Sequence, residues 1–511
     1  MRHGTLTLIT RLRPERVGHV KQQLRQWGED PAALLEGVPG LHFARFAVLD
    51  SGHLIFGADY TLPVEREREL DPRFLQGLLQ DARRLNAFHD LYQECQDYPF
   101  RRGPAPEALT DWLLHQRRPY GARHVELPYR VETPEGLRRL LTLRHAVERC
   151  VNAHRQDFIQ LLRGNTPAAT GLRQCLGSVR RRLLDTLALQ EEALPREERS
   201  QTYLEEPVWK QVLEAARWDM AFSTLVYAPQ ELVARALLAS EQRVKALWRR
   251  FVAAPAPTPQ ELPLGDAKRE ELERQPEYPV QNSMVLVVRI NPDQQLRVRN
   301  ILRLVDWRFR RYQVGLNDIR AIHCARWVMF EGGDGHSYLL FFSTFDDSWE
   351  AYIDSFLDHE DVLSFLKRIW SETEGFPRPG TFRGPFVTHF KDWVRHVQVP
   401  TLFFYSAYPR GEPGAPAMSV MDVHNVLRLR GLLAQERLGP LEESALVRLL
   451  AQGLCTPERK MMTFPEVATQ AMHRLTAQVP WRARRVQHGT RNTPRVRVVD
   501  GARAEAAPPP A

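Results

Sequence analysis

The chain has 511 residues, a formal net charge of +8, 43% apolar residues and 26% charged residues. That length exceeds one ordinary domain, so two or three folded units are expected, and the composition excludes a disordered or fibrous class. No apolar run reaches the ~18 residues of a membrane-spanning helix, and Met1-Arg2-His3-Gly4-Thr5 lacks the apolar core of a signal peptide.

The charge is uneven. Between Arg482 and Arg503 there are seven arginines and one acid, Asp500, a local surplus of +6. Most of the basicity therefore sits near one end, and the body is close to balanced. The five cysteines, Cys95, Cys150, Cys175, Cys324 and Cys455, are scattered and odd in number, and no Cys-x-x-Cys occurs. This predicts a reducing cytoplasmic location, no disulfide framework and no zinc site.

In chain order, residues 5–12 read as a strand. Arg13-Pro14-Glu15 opens a helix whose apolar stripe is Val17, Val20, Leu24 and Trp27. Residues 41–61 form a β-hairpin around the turn Asp50-Ser51-Gly52. A helical segment over about 71–92 follows, then a short helix around Trp112 and an extended piece ending near Pro128. The order β-α-β-β-α-β is ferredoxin-like.

The same order returns. Leu41-His42-x-Ala44-Arg45 reappears as Ile322-His323-x-Ala325-Arg326, and Asp111-Trp112-x-x-His115 as Asp392-Trp393-x-x-His396. Arg102-Gly103-Pro104 reappears as Arg383-Gly384-Pro385. These ordered matches predict repeat A over 4–131 and repeat B over 282–411. Between them, Thr133-Pro134-Glu135 opens an all-α insertion over 133–253, with helical patterns over 169–193, 206–226 and 229–252. Residues 254–281 read as a Pro- and charge-rich linker. Helices are expected over 420–436, 440–453 and 465–475 in an extension over 417–480, and disorder over 481–511.

Two tandem ferredoxin-like units resemble the dimeric α/β-barrel superfamily, which includes antibiotic-biosynthesis monooxygenase-like proteins, chlorite dismutases and dye-decolourising peroxidases. The Gly375-Phe376-Pro377-Arg378 loop is also similar to a bacterial group with peroxidase-like members. The resemblance implies an α+β fold in which the two repeats form one pseudo-dimeric barrel, complete within a monomer. It also implies haem in a cavity between the sheets. Dye-decolourising peroxidases carry Gly-x-x-Asp-Gly; the nearest string here is Glu331-Gly332-Gly333-Asp334-Gly335, which departs at its first position and falls at a hairpin turn.

His42 with Arg45, and His323 with Arg326, are the leading candidates for chemistry. On a regular strand i and i+3 point to opposite faces, so only one of each pair is expected to face an interior cavity. In the functional reading His323, His396 or His42 holds haem iron, and Arg326, with Arg45, stabilises charge during O–O cleavage. In the structural reading each His is buried against backbone and each Arg is paired with a carboxylate such as Asp59. Asp111/His115 and Asp392/His396 stand one helical turn apart, either orienting an imidazole or capping a helix. No phosphate-binding, zinc-peptidase or serine-hydrolase motif is present. Two functions follow: a haem-dependent, peroxidase-like oxidoreductase acting on a small molecule, or a non-catalytic scaffold. The scaffold would engage a partner or an acidic membrane surface through the helical insertion and basic tail, with weak nucleic-acid contact a further reading of the arginines.

Overall fold

In the computed structural model the chain divides into two units, Met1–Glu458 and Arg459–Ala511. The described residues, all in the first unit, are 2–118, 120–125, 129–130, 132–154, 156–157, positions within 171–181, 266–312, 321–358, positions within 363–377, 386–410, 417–423 and 426. The helices expected over 206–226, 229–252, 440–453 and 465–475, and the Arg-rich segment, lie outside them.

Strand β1 (Arg2–Arg11) is buried on both faces. Leu6 and Leu8 pack towards helices, whereas Ile9 points into a different cluster. A 3₁₀ turn begun by Pro14 leads into α1 (Val17–Glu29), which buries Val20 and Leu24. Helix α2 (Pro31–Leu35) is capped by Asp30, which accepts from Ala33 N at 3.1 Å. Strands β2 (Leu41–Val48) and β3 (His53–Leu62) form the expected hairpin. Gly40 enters it with φ +69°, and a Cβ there would stand 2.1 Å from the Thr61 carbonyl oxygen, so only glycine fits. The helix expected over 71–92 is two helices, α3 (Leu70–Leu79) and α4 (Ala82–Tyr92). Asp81 makes the break, because its carboxylate accepts from Arg84 N at 3.0 Å and starts a new helix. Helix α5 (Pro106–His115) and strand β4 (Tyr120–Val125) follow.

Helix α6 (Pro134–Ala153) begins where the sequence places it, with Thr133 Oγ1 accepting from Gly136 N at 3.1 Å. Its Cys150 is bonded to Cys175, which corrects the expectation that no disulfide forms. Helical periodicity carries no information on which thiols a turn of chain returns to one another. Cys95 and Cys324 are free and buried. The segment read as linker contains α7 (Asp266–Glu273), whose Glu270 pairs with Arg274 at 3.0 Å. Then come β5 (Asn282–Arg289), α8 (Gln295–Tyr312), β6 (Ile322–Glu331), β7 (Ser337–Phe345), α9 (Trp349–Asp358), α10 (Phe386–Val397), β8 (Gln398–Val399) and β9 (Thr401–Ser406). No helix among the described residues is long and apolar enough to cross a membrane.

The fold is α+β with two antiparallel sheets, ordered β1-β3-β2-β9 and β4-β6-β7-β5-β8. Each sheet holds one strand from the other half of the sequence. Strand β4 pairs with β6, and β9 with β2. Before β4, Gln116–Arg118 touches β1: Ile9 N donates to Gln116 O, and Arg118 N to Thr7 O. In the later half, β8 pairs with β5 and β9 with β2, the two separated by Pro400, which has no N–H to give a ladder. The strands make two sheets, and the expected pseudo-dimeric barrel does not close.

The two sheets face one another. Ile9, Ala47, Leu49 and Ile55 meet Val285, Val328, Phe330, Leu340 and Phe342 in one buried cluster. The outer faces are covered by helices, with α10 contributing Phe390, Trp393, Val394 and Val397 over the second sheet. Each fully buried aliphatic or aromatic side chain in the seam contributes roughly 1.5–3 kcal/mol.

Candidate functional site at the sheet seam

The candidate residues converge on this seam because of two β-bulges. The β2/β3 register shifts between Leu41 and Phe43, and the β6/β7 register between Ile322 and Cys324. His42 and His323 are thus the extra residues of their strands. A bulge breaks strict alternation and re-aims its side chain. His42 and Arg45 are accordingly both directed into the seam, and so are His323 and Arg326. This corrects the expectation that only one of each pair would face inward.

The arginines cross between sheets. Arg45 Nη1 donates to the Ser343 carbonyl at 2.8 Å, and its Nη2 to Thr344 Oγ1. Arg326 Nη1 donates to the Ala58 carbonyl at 2.9 Å and to Asp59 Oδ1 at 3.3 Å. Each guanidinium also lies over the Phe342 ring, Arg45 at 5.3 Å and Arg326 at 4.7 Å. Gly57 lets Arg326 in, since a Cβ there would lie 2.3 Å from Nη2. Asp59 Oδ2 stands 3.8 Å from Arg45 Nη2, so one carboxylate serves two buried cations. Cys324 donates to Asp59 Oδ2 at 3.5 Å; burial, helped by Asp59, pushes its thiol up to about 12.

The histidines are bonded at both ring nitrogens. Asp346 Oδ1 accepts from His323 Nε2 at 2.7 Å, and His323 Nδ1 is hydrogen-bonded to Tyr129 Oη at 2.6 Å. Thr61 donates to the Tyr129 carbonyl, so its Oγ1 accepts from His42 Nε2 at 2.9 Å, and His42 Nδ1 accepts from Tyr408 Oη. The His42 ring fits the neutral Nε2–H form. Burial drives His42 down to about 3 and holds the Tyr408 phenol well above its usual value. Asp346 is also bonded by the backbone N–H groups of Gln281 and Val420. The partners are crossed here too: Tyr129, from the earlier half, serves His323, and Tyr408, from the later half, serves His42.

His396 stands apart. It occupies the last turn of α10, on the outer side of the second sheet, and its carbonyl accepts from Lys268 Nζ. Burial, then Lys268, lowers its imidazole from the ordinary value. Arg326 projects from the opposite face of that sheet, so the two are not brought together. His115 is exposed and bonds the Asp111 carbonyl at 2.6 Å rather than its carboxylate. Asp334 closes a turn, accepting from Tyr338 Oη at 2.6 Å and His336 N at 3.1 Å.

Within the seam, His42 and His323 do not fit a haem. The nitrogens of His42 and His323 are all engaged, and the seam is filled by side chains packed against one another. No group of three or more His, Cys, Asp or Glu with metal-binding geometry occurs among the described residues.

Sequence reasoning named Asp59 as a partner but missed Thr61, Tyr129, Thr344, Asp346 and Tyr408. The available signal was the Pro128-Tyr129 and Tyr408-Pro409 steps, where an aromatic borders the end of a fourth strand. No family model, curated protein or solved structure matches the chain.

Proposed function

We propose that the chain is a non-catalytic scaffold, two ferredoxin-like units fused and braced against each other, which engages an acidic membrane surface. The observation that carries this reading is the use of the seam's polar groups. Arg45 and Arg326 each bond the opposite sheet, and His42 and His323 each give one ring nitrogen to a tyrosine from the other half of the sequence and the other to a partner in their own half. A catalytic group needs access to substrate, and these four are at most 2% exposed.

The two-unit reading is supported by matching contacts. Glu94 pairs with Arg16 at 2.5 Å, and Glu372 with Arg297 at 3.0 Å. Arg13 N donates to the Glu94 carbonyl, and Asn291 N to that of Glu372. The acidic-surface reading rests on the +6 segment between Arg482 and Arg503. Near an anionic leaflet each Arg is worth about 1 kcal/mol, and the attraction fades with salt.

Co-sedimentation with phosphatidylserine vesicles tests it. The full chain is expected to bind in a salt-dependent way, and the chain lacking 482–511 to bind more weakly. Equal binding of the two would remove the tail from the reading. A new Soret band on adding haem to the purified protein would overturn the non-catalytic assignment.

A further inference from the structure

Helix α8 (Gln295–Tyr312) carries more charge than its packing requires. It holds six arginines and one acid, Asp306, a net +5. Helix α1 follows β1 as α8 follows β5, yet it holds two cations, Lys21 and Arg25, and one acid, Glu29. Both cations of α1 are paired, Lys21 with Asp50 at 3.6 Å and Arg25 with Glu271.

The inner face of α8 is fixed on the second sheet. Val298, Ile301, Leu302 and Val305 are buried there. Gly121 of β4 admits Leu302, since a Cβ at Gly121 would lie 2.6 Å from Leu302 Cδ1. This seating decides which residues are turned outwards. Arg297, on the flank, pairs with Glu372 at 3.0 Å. Leu296, Arg299 and Arg303 stand outwards at i, i+3 and i+7. Leu296 is 66% exposed, one of two large apolar side chains so placed among the described residues. Arg299 and Arg303 are exposed and have no ion-pair or hydrogen-bond partner among the described residues. Like charges at i and i+4 repel, so the pair does nothing to hold the helix together.

Unpaired arginines beside an exposed leucine suit the boundary of an anionic bilayer. The guanidiniums meet headgroup phosphates and carboxylates, and the leucine leaves water for the acyl edge. A nucleic acid would take the arginines and leave the leucine without a role. We propose that the outward face of α8 docks on an anionic lipid bilayer through Arg299, Arg303 and Leu296. This rests on the acidic-surface reading above and adds a contact in the first unit, separate from the Arg482–Arg503 segment.

The test is co-sedimentation of the full chain, at low salt, with phosphatidylserine/phosphatidylcholine vesicles and with phosphatidylcholine vesicles. Arg299→Gln/Arg303→Gln is expected to weaken binding to the anionic vesicles by at least about tenfold, since each arginine near an anionic leaflet is worth about fivefold. Arg299→Lys/Arg303→Lys, which keeps the charge, is expected to bind as the wild type does. Leu296→Gln is expected to weaken binding several-fold. The three side chains are exposed, so every variant is expected to keep the wild-type urea midpoint. Wild-type binding that Arg299→Gln/Arg303→Gln leaves undiminished would overturn the α8 contact and leave the tail reading standing. Absence of wild-type binding to the anionic vesicles would overturn both. Vesicle binding insensitive to Leu296→Gln, with duplex DNA binding that the paired Gln variant abolishes, would make the partner a nucleic acid and overturn the proposal as well.

Discussion

Acidification tests the buried His42 directly. In the folded chain burial holds its imidazole neutral down to about 3, against an ordinary value of 6.5. Below 6.5 the unfolded ring takes a proton that the folded ring refuses. The unfolded state then binds more protons, so stability falls as pH drops from 6.5 and levels off near 3. At roughly 1.4 kcal/mol per unit, pH 5 lies about 1.5 units below the unfolded value and costs about 2 kcal/mol. The full gap from 6.5 to 3 corresponds to roughly 5 kcal/mol. The neighbouring His3, driven well down by burial and Arg123, acts in the same direction. The assay is urea unfolding at a series of pH values, for the wild type and for His42→Gln, which cannot titrate there. The difference in pH slope isolates His42. Parallel curves for the two proteins between neutral pH and pH 4 would refute the buried neutral ring, and with it the Tyr408–His42–Thr61 arrangement.

Asp59→Asn leaves two buried guanidiniums without their shared carboxylate. Breaking a buried pair in this way is expected to cost about 3–5 kcal/mol in chemical denaturation, and a loss below about 1 kcal/mol would show the charges to be solvated. Gly40→Ala forces a Cβ to 2.1 Å from the Thr61 carbonyl at φ +69°, so a loss of about 2 kcal/mol or more is expected, checked by the urea midpoint. Reducing Cys150–Cys175, which closes a loop of separation 25, is expected to lower stability by about 3–4 kcal/mol. Intact-mass alkylation that finds both thiols free in the unreduced protein would remove that bond.

Local pattern made the hairpins and the start of α6 legible, because each is decided by neighbours in sequence. Two apolar runs flank the Asp50-Ser51-Gly52 turn, and Thr133 caps the helix that Pro134 begins. The structural reading of Arg45 with Asp59 was legible for a related reason: a buried Arg requires an acid, and Asp59 lies on the adjoining strand. What stayed hidden depends on distant pairing or on a single inserted residue. Nothing near Tyr120 states that β4 will pair with β6 some 200 positions on, since backbone ladders accept almost any side chain. Nothing in Leu41-His42-Phe43 distinguishes a bulge from one more step of alternation, yet the bulge decides where His42 points. That hidden step changes the meaning of the doubled His and Arg. Without the bulges and the exchanged strands, His42/Arg45 and His323/Arg326 look like two copies of a catalytic pair. With them, each Arg ends on the backbone of the opposite sheet, and each His on a tyrosine from the other half. Removing either member of a set breaks a bond between the halves. Duplication is therefore what a mutual brace requires, whereas a single active site would need only one of the two pairs.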